Sequence, residues 1–586
     1  MRQWMVAAKK ADFYVIAEKF HVDPVVARII RNREVIGEKN IRIYLGGNLS
    51  DLSDPHQMKD MDRLVEILAQ KIRKQVHIRI IGDYDVDGVT SSHLFLTALR
   101  RVGAKVDVVI PHRIQDGYGL SLHLLQQAKE DGVDTILTCD NGIAAIDEIA
   151  WAKAQKMTVL VTDHHAVPFE EHEGRRTEKK SLADAVVNPH QQDCGYPYKE
   201  LCGAGVAWNV IRVLYENYDM DKREAEDLLD FVAMATVCDV MSLTGENRIL
   251  VKEGLKRIRH TKNIGLQALM QACNVQPENI SAYHFGYVLG PCVNATGRLD
   301  TARHALRLFE TGQETEAEEI ARDLVDLNQE RKELTLQGVE MAKKICEEGG
   351  YENDPVLVLF LPDVHESIAG LIAGRIREMY NRPVFVLTRG EEGVKGSGRS
   401  TENYSMYENM CGCAELFTKF GGHPMAAGLS LPEENVEKFR RKINENCPLT
   451  VEEVCPDIHI DMAMPVGYAS TELVHQFALL EPFGKDNPSP LFADRNLSIS
   501  RMWLIGKNRN VLRMSVLSEY GQPVPVIFFG DVETLFAYFT EKFGQEEVEN
   551  ALHGRKNRIL FSMVYTAKID FYQGNENLQL EMKYYR

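Results

Sequence analysis

VHIRIIGDYDVDG, residues 76–88, decides the fold of this chain. A β-branched run, VHIRIIG at 76–82, ends in a glycine and is followed at once by three aspartates at alternate positions, Asp83, Asp85 and Asp87. Working outward, further short Val- and Ile-rich runs follow: KVDVVI (105–110), DTILTC (134–139), MTVLVT (157–162) and ADAVV (183–187). The intervals between them are long enough for helices. That alternation predicts βαβ units, with a parallel sheet covered by helices on both faces. The runs are nearly continuous in Val and Ile, as strands buried on both sides require.

The acids fall where those strands end. Asp83, Asp85 and Asp87 follow the first, Asp140 in CDNG follows DTILTC, and Asp163, His164 and His165 follow MTVLVT. The C-terminal strand ends of an open parallel sheet share one edge, which carries the ligand crevice. Three distant segments should therefore bring five Asp and two His to one place. Clustered carboxylates repel one another and are costly to desolvate, so such a cluster needs cations. Mixed Asp and His ligation suits Mn²⁺, with Mg²⁺ a competitor and Zn²⁺ disfavoured because no thiolate joins. Alternate residues of an extended DxD reach neighbouring ions, which fits a two-metal site that activates water for in-line attack on phosphorus.

Each motif alone has a plainer explanation. GDYDVDG resembles part of a calcium loop, but Leu94 stands at the twelfth position, where such a loop needs Glu, and a strand precedes it. Asp163 could cap a helix beside two surface histidines, and CDNG could be an ordinary turn. Three such motifs on three strand ends favour the metal site. HESIA at 365–369 is no zincin motif, because Ala369 replaces the second histidine.

Five regions are expected. An N-terminal helical segment covers 1–70, and the first α/β domain covers 71–240. A helical region with a connecting helix covers 241–350; the Pro-free stretch from Glu314 to Glu348 repeats apolar residues at three- and four-residue spacing. A second, smaller α/β domain over 351–450 contains VLVLFL, the helical HESIAGLIAGRIREMY and PVFVL. A β-barrel over 455–586 is expected from short alternating strands such as SISRMWLIG, VLRMSVL and PVPVIFFG.

Composition narrows the class. At 586 residues, with 44% hydrophobic and 26% charged, the chain reads as a multidomain soluble protein. It contains no apolar run of transmembrane length and no signal-peptide pattern at its start, so a cytoplasmic protein without a membrane partner is expected. Eleven cysteines without a CxxC pair read as reduced thiols rather than a disulfide framework. A net charge of −17 argues against nucleic acid on average, but a metal site is itself acidic and a basic groove can lie beside it.

At these residues the sequence resembles the DHH phosphoesterase family, whose namesake triplet is Asp163-His164-His165. Its four motifs fall in order at DYDVDG (83–88), Asp140 in TCDNG, the DHH triplet, and Asp239 in MATVCDV. The resemblance implies that Asp85, Asp87, Asp140, His164 and Asp239 are metal ligands, with Asp83 a further one. It implies a catalytic role for His165, at the substrate phosphate, alongside Asp140 and His164. Within the family, the RecJ exonuclease branch matches more of the chain. PHRIQDGYGL (111–120), NATGRLD (294–300), KGSGRS (395–400), GGHPMAAG (421–428) and PFGKDNPSPLF (482–492) resemble its segments. CDNG where many relatives carry DCG, and HESIAGLIAGRI where relatives often have a tryptophan-histidine pair, are departures.

The resemblance implies an architecture of DHH domain, long helix, DHH-associated domain and oligonucleotide-binding (OB-like) barrel. It implies a 5′-phosphate pocket formed by Arg113, Arg298, Ser397 and Arg399, with His423 near the strand backbone. Arginine forks and glycine-rich loops suit phosphate oxygens. In the barrel, Lys507, Arg509, Arg513, Arg555, Lys556 and Arg558 lie among Trp503, Phe561 and Tyr565. These aromatics fit either a base-stacking surface or the barrel core. The implied activity is 5′→3′ exonucleolytic hydrolysis of single-stranded DNA with two divalent ions, Mn²⁺ or Mg²⁺, in repair and recombination. A helicase and a single-strand-binding protein are the implied partners, and the chain is expected to act as a monomer. The alternative is a DHH phosphodiesterase for short RNA or cyclic dinucleotides, whose members are shorter and lack the barrel. A non-catalytic nucleic-acid scaffold is the second, and it would have lost ligands that are all present here.

Overall fold

The computed structural model describes residues 3–586 except 114, 115, 118, 173, 174, 391, 392, 507–509 and 573. The chain forms two compact units: residues 52–456 make up one, and residues 3–51 with 457–586 the other. The expected N-terminal segment 1–70 is thus divided. Its helices Phe13–Phe20 and Pro24–Asn32 are amphipathic, and their apolar faces, including Val26, Ile29 and Ile30, join the core of the barrel unit. Local periodicity showed helices there but not which core they would cover.

In the first unit, β1 (Ile78–Ile81) leads into α1 (Val86–Arg101), then β2 (Val106–Val109), α2 (Leu122–Glu130), β3 (Thr135–Cys139), α3 (Ile146–Ala154), β4 (Thr158–Thr162) and β5 (Ala185–Val187). The five strands are parallel, in the order β2-β1-β3-β4-β5. Ile78, Ile80 and Ile81 are fully buried, each contributing about 1.5–3 kcal/mol of burial. The order reverses between β1 and β3, and the crevice of a doubly wound sheet opens at that switch point. Asp83 and Asp140 leave the sheet from those two strands.

Helices α4 (Gly203–Asn217), α5 (Leu229–Cys238) and α6 (Gly290–Leu299) pack around this sheet and α1. The long helix expected at Glu314–Glu348, α7, spans 35 residues, about 52 Å at 1.5 Å per residue. Its stripe of Ala317, Ile320, Ala321 and Leu324 is buried, and its far end contributes Val339, Ala342 and Cys346 to the second core. That core belongs to a five-stranded mixed sheet: β6 (Leu357–Phe360), helix α8 (Glu366–Tyr380), then β7 (Val384–Gly390), β8 (Gly393–Arg399), β9 (Lys419–His423) and β10 (Ala426–Leu431). The order is β9-β10-β8-β7-β6, with only β6 and β7 parallel.

The second unit is a closed barrel of β11 (Phe492–Ile505), β12 (Val511–Leu517), β13 (Pro523–Phe528), β14 (Leu560–Tyr572) and β15 (Asn575–Tyr585). Pairing runs β11-β12-β13-β15-β14, and β14 returns to β11, which removes the open edges. Strand alternation turns Leu512, Met514 and Val516 inward. Phe561 and Tyr565 are core residues too, the Tyr565 hydroxyl donating to the Met464 carbonyl, so neither offers a base-stacking face. Trp503 remains partly exposed, with the Arg501 and Arg513 guanidinium carbons 5.6 and 6.0 Å from its ring centre. Arg555, Lys556 and Arg558 are exposed, and Lys507 and Arg509 lie outside the described residues.

Candidate metal centre and anion pocket

The loop after β1 turns straight into α1, so its aspartates line up on a helix start. Asp85 caps α1 by accepting the Gly88 N–H at 3.1 Å, and Asp87 lies in the first turn, where the helix dipole favours negative charge. A second helix start meets Asp87 from outside. The N–H groups of Gly203 and Ala204, opening α4, donate to its carboxylate at 2.6 and 2.7 Å. Asp140 follows β3 in the left-handed region, φ 61°, which aspartate tolerates better than most residues. Asn141 ties the two strand ends together, its side-chain N–H groups donating to the carbonyls of Ile81 and Cys139.

Three overlapping groups result: Asp83, Asp85 and Asp140; Asp87, His164 and Asp239; and Asp140, His164 and His165. Within each, the candidate ligand atoms lie within 4.8 Å of one another. His164 Nε2 stands 3.1 Å from Asp140, 3.6 Å from Asp239 and 3.7 Å from Asp87. It makes no hydrogen bond with any of them, and neither does Asp83 Oδ1 with any described residue. The expected ligands Asp83, Asp85, Asp87, Asp140, His164 and Asp239 are all brought together, with Asp140 and His164 each shared between two groups. Asp239 joins as the C-cap of α5, a helix remote in sequence from the strand ends.

The electrostatics match. Burial raises the Asp83, Asp85 and Asp140 carboxyls above their ordinary range, and neighbouring carboxylates raise them further. Burial lowers the His164 imidazole below its ordinary value, which favours the neutral form that ligates metals. Convergent buried acceptors lacking protons to share are what divalent cations satisfy, and Asp with His and no cysteine in any of these groups is a donor set for Mn²⁺ or Mg²⁺. Two overlapping groups joined by a shared carboxylate suit a pair of ions.

Asp163 works differently from its neighbours. Its carboxylate is enclosed by donors: Ile143 N–H at 2.9 Å, His164 N–H at 2.7 Å, His165 N–H at 3.1 Å and His165 Nδ1 at 2.8 Å. Burial pushes its carboxyl up, but the His165 hydrogen bond and nearby imidazoles outweigh that and leave it lowered. It therefore fixes the His165 ring, whose side chain is 42% exposed at the site's mouth. Burial disfavours the His165 cation, yet Asp163 and the other acids raise it to about 9.

Beside the acids lies a cationic pocket. NATGR forms the end of α6 and is read against the DYD loop: Asn294 accepts the Val86 N–H at 3.2 Å, and Gly297 leaves no room for a Cβ against the Tyr84 carbonyl. Arg298 then points toward α8, donating to the Ser367 carbonyl at 2.8 Å. Arg113 lies over the Tyr84 ring at 4.7 Å. Burial, together with Arg113, Arg331 and Arg399 and against Asp85, lowers Arg298 to about 10. Burial, Arg377 and Arg113 lower Arg399 likewise. Guanidiniums that repel one another in a half-buried site call for an anion. Arg113, Arg298 and Arg399 are thus electrostatic neighbours, and Arg113 and Ser397 line one cavity. His423 is exposed on β9, level with Ala426 and Arg399 across the sheet, and belongs to none of the three ligand groups. Of the GYG segment, Tyr118 lies outside the described residues. Asn141 and Asn294 lie in the motifs CDNG and NATGRLD but carried no expected role, and Gly203 and Ala204 lie in no motif singled out in the sequence.

A parallel sheet with Asp and His at its switch point is the arrangement of a phosphoesterase of the DHH class, and the family models agree. The DHH family N-terminal domain matches residues 77–236, the DHHA1 domain 353–447 and the RecJ OB domain 460–584. The single-stranded-DNA-specific exonuclease RecJ of Haemophilus influenzae is 32% identical over 582 residues, with 96% of each chain covered. That of Bacillus subtilis is 33% identical over 511 residues, covering 86% of this chain and 63% of its own length. Thermus thermophilus RecJ in complex with Mn²⁺ superposes with a TM-score of 0.79 at 24% identity, covering 100% of this chain and 79% of that one, a likeness of fold. The chain belongs to the RecJ family.

Proposed function

We propose that this protein is a metal-dependent exonuclease that removes nucleotides from the 5′ end of single-stranded DNA. The observation that carries the reading is the juxtaposition of two features: a carboxylate–histidine cluster suited to two divalent ions, and beside it three arginines whose guanidiniums repel one another. Tyr84, between Asp83 and Asp85, lies under Arg113, so the aspartate loop touches both features. The relatives named as single-stranded-DNA-specific exonucleases support the substrate.

Asp83, Asp85, Asp87, Asp140, His164 and Asp239 would hold the ions, here Mn²⁺ or Mg²⁺. Bound there, the ions would lower the pKa of a water and offset charge on the phosphoryl oxygens. The chain's own residues do the rest. Arg113, Arg298, Ser397 and Arg399 seat the terminal phosphate and so set which diester reaches the cluster. His165, held by Asp163, sits where a proton or hydrogen bond can be given to the scissile group. Partly exposed Trp503 and its arginines suit strand contact in the barrel. Acting on single strands in the cytoplasm, the enzyme would need a helicase to open duplex and would meet strands coated by single-strand-binding protein. The short-RNA or cyclic-dinucleotide reading is not favoured, because it leaves the RecJ OB domain at 460–584 without a purpose.

The test is incubation with Mn²⁺ or Mg²⁺ and 5′-labelled single-stranded DNA, with blunt duplex, RNA and a cyclic dinucleotide in parallel. Release of mononucleotides from the 5′ end of the single strand is expected. Activity confined to the cyclic dinucleotide, or rapid digestion of blunt duplex, would overturn the reading.

A further inference from the structure

We infer that the pocket for the 5′-phosphate continues into a second anion subsite, formed by Lys395, Lys419 and Ser430, which accepts the outer phosphoryl groups of a strand ending in a 5′-polyphosphate. The inference rests on the reading of Arg113, Arg298, Ser397 and Arg399 as the seat of the terminal phosphate.

The register of β8, β10 and β9 is the starting point. Arg399 pairs with Ala426, which pairs with His423; Ser397 pairs with Gly428, which pairs with Gly421; Lys395 pairs with Ser430, which pairs with Lys419. Directly paired residues of antiparallel strands point to the same face, and alternate residues along a strand do too. All three rows therefore face one way. The first row carries Arg399. The middle row is a floor of two glycines beside Ser397, where a ligand can lie directly on the backbone. The third row carries two lysines flanking a hydroxyl, two residues further along the strand and so about 6.7 Å from the Ser397 row.

That third row is part of the same hollow. One cavity of about 440 Å³ is lined by Tyr84 and Arg113 on one side, and by Ser397, Lys395, Lys419 and Ser430 on the sheet. It is roomier than one phosphate needs. The carboxylate of Glu366 also lines it, held to Lys395 at 2.7 Å. Glu366 steadies that lysine and offsets one charge, which leaves Lys419 and Arg113 to attract an anion. Since the strand ends at the phosphate in the first seat, no nucleotide can occupy the space beyond it. What can extend there is a longer 5′-phosphate chain, whose added negative charge the lysines match.

The chemistry of the cut is unchanged. Water adds hydroxide to the phosphorus of the first diester, and its proton goes to the departing 3′-oxygen. The first product is then a nucleoside triphosphate, and later products are monophosphates.

The experiment compares oligodeoxynucleotides that differ only in a 5′-monophosphate or 5′-triphosphate end, with the first product identified by chromatography. The parent is expected to digest both at kcat/KM values within about tenfold, releasing a nucleoside triphosphate first from the latter. In the double variant Lys395→Ala, Lys419→Ala, the triphosphate-to-monophosphate ratio should fall at least tenfold. A triphosphate end that resists the parent while the monophosphate end is digested overturns the subsite and leaves the exonuclease reading intact. So does a double variant that changes both ends alike. If neither strand is digested, the exonuclease reading fails, and binding of the same strands in EDTA decides the subsite. Tighter binding of the triphosphate end, lost in the double variant, supports it, and equal binding overturns it.

Discussion

A Cβ placed on Gly203 would stand 2.6 Å from the Cβ of Asp140, so the start of α4 presses directly on the left-handed aspartate at the centre of the acid cluster. The same glycine donates its N–H to Asp87. One backbone position thereby sets the spacing between two expected metal ligands. Gly203→Ala should force α4 and the CDNG turn apart. Expected are a loss of about 1–3 kcal/mol of stability and at least a tenfold loss of Mn²⁺ affinity, read by denaturant unfolding and calorimetric titration. Parent-like Mn²⁺ binding in a folded variant would refute this role.

Asp163→Asn tests the division of labour inside the DHH triplet. The amide cannot accept four donors as the carboxylate does, and the His165 ring loses its anchor. A fall in kcat of about 10²-fold or more is expected, with a much smaller change in KM. Mn²⁺ should still bind. Loss of Mn²⁺ binding with the fold intact would instead make Asp163 a ligand.

Metal removal should destabilise the protein through the carboxylates themselves. Asp83, Asp140 and the half-buried Asp85 repel one another when no cation is present. Adding Mn²⁺ should raise the Tm of the parent, and EDTA should lower it again. Asp140→Asn should melt higher than the parent in EDTA, gain less from Mn²⁺ and lose kcat by orders of magnitude. A variant that melts lower than the parent in EDTA would contradict the repulsion.

The arginine pocket makes a prediction of opposite sign. Arg298→Met removes one of several crowded cations and should leave stability equal or higher without ligand. Preference for a 5′-phosphate over a 5′-hydroxyl end should drop about tenfold or more, mainly in KM, as expected for one charge-assisted contact of about 1.5–3 kcal/mol. An unchanged preference would remove Arg298 from the terminal-phosphate seat.

Asp230, in the first turn of α5 and in none of the ligand groups, predicts a pH dependence. Burial pushes its carboxyl from 3.8 up to about 6, against hydrogen bonds from Thr261 and the Phe231 N–H. The folded value is the higher one, so its favourable contribution is complete below about 3.8 and is lost as pH rises through about 6. At pH 8 the fold carries a buried charge costing about 1–3 kcal/mol. Asp230→Asn should therefore be more stable than the parent at pH 8 and indistinguishable from it near pH 4. Equal stabilities at both values would disprove the assignment.

Much of this is legible in the amino-acid sequence. A β-branched run ending in GDYDVDG places three acids at a strand end, and parallel sheets gather their C-terminal strand ends on one edge, so Asp140 and the DHH triplet had to come near. The Pro-free stretch Glu314–Glu348 had no means of breaking and forms one helix. Periodicity and strand polarity are local properties, and the chain spells them out residue by residue.

Tertiary packing decided the rest. Nothing near Asp163 in the sequence says that it turns from the acid cluster toward Ile143 and His165, while Asp87 is met by a helix start more than a hundred residues away. Neither could periodicity assign residues 3–51 to the barrel unit or send Phe561 and Tyr565 into its core. These outcomes depend on contacts between segments far apart in the chain, whose free energy comes from excluded water and satisfied donors in a shared interior. No single segment carries that information, so it appears only when the interior is assembled.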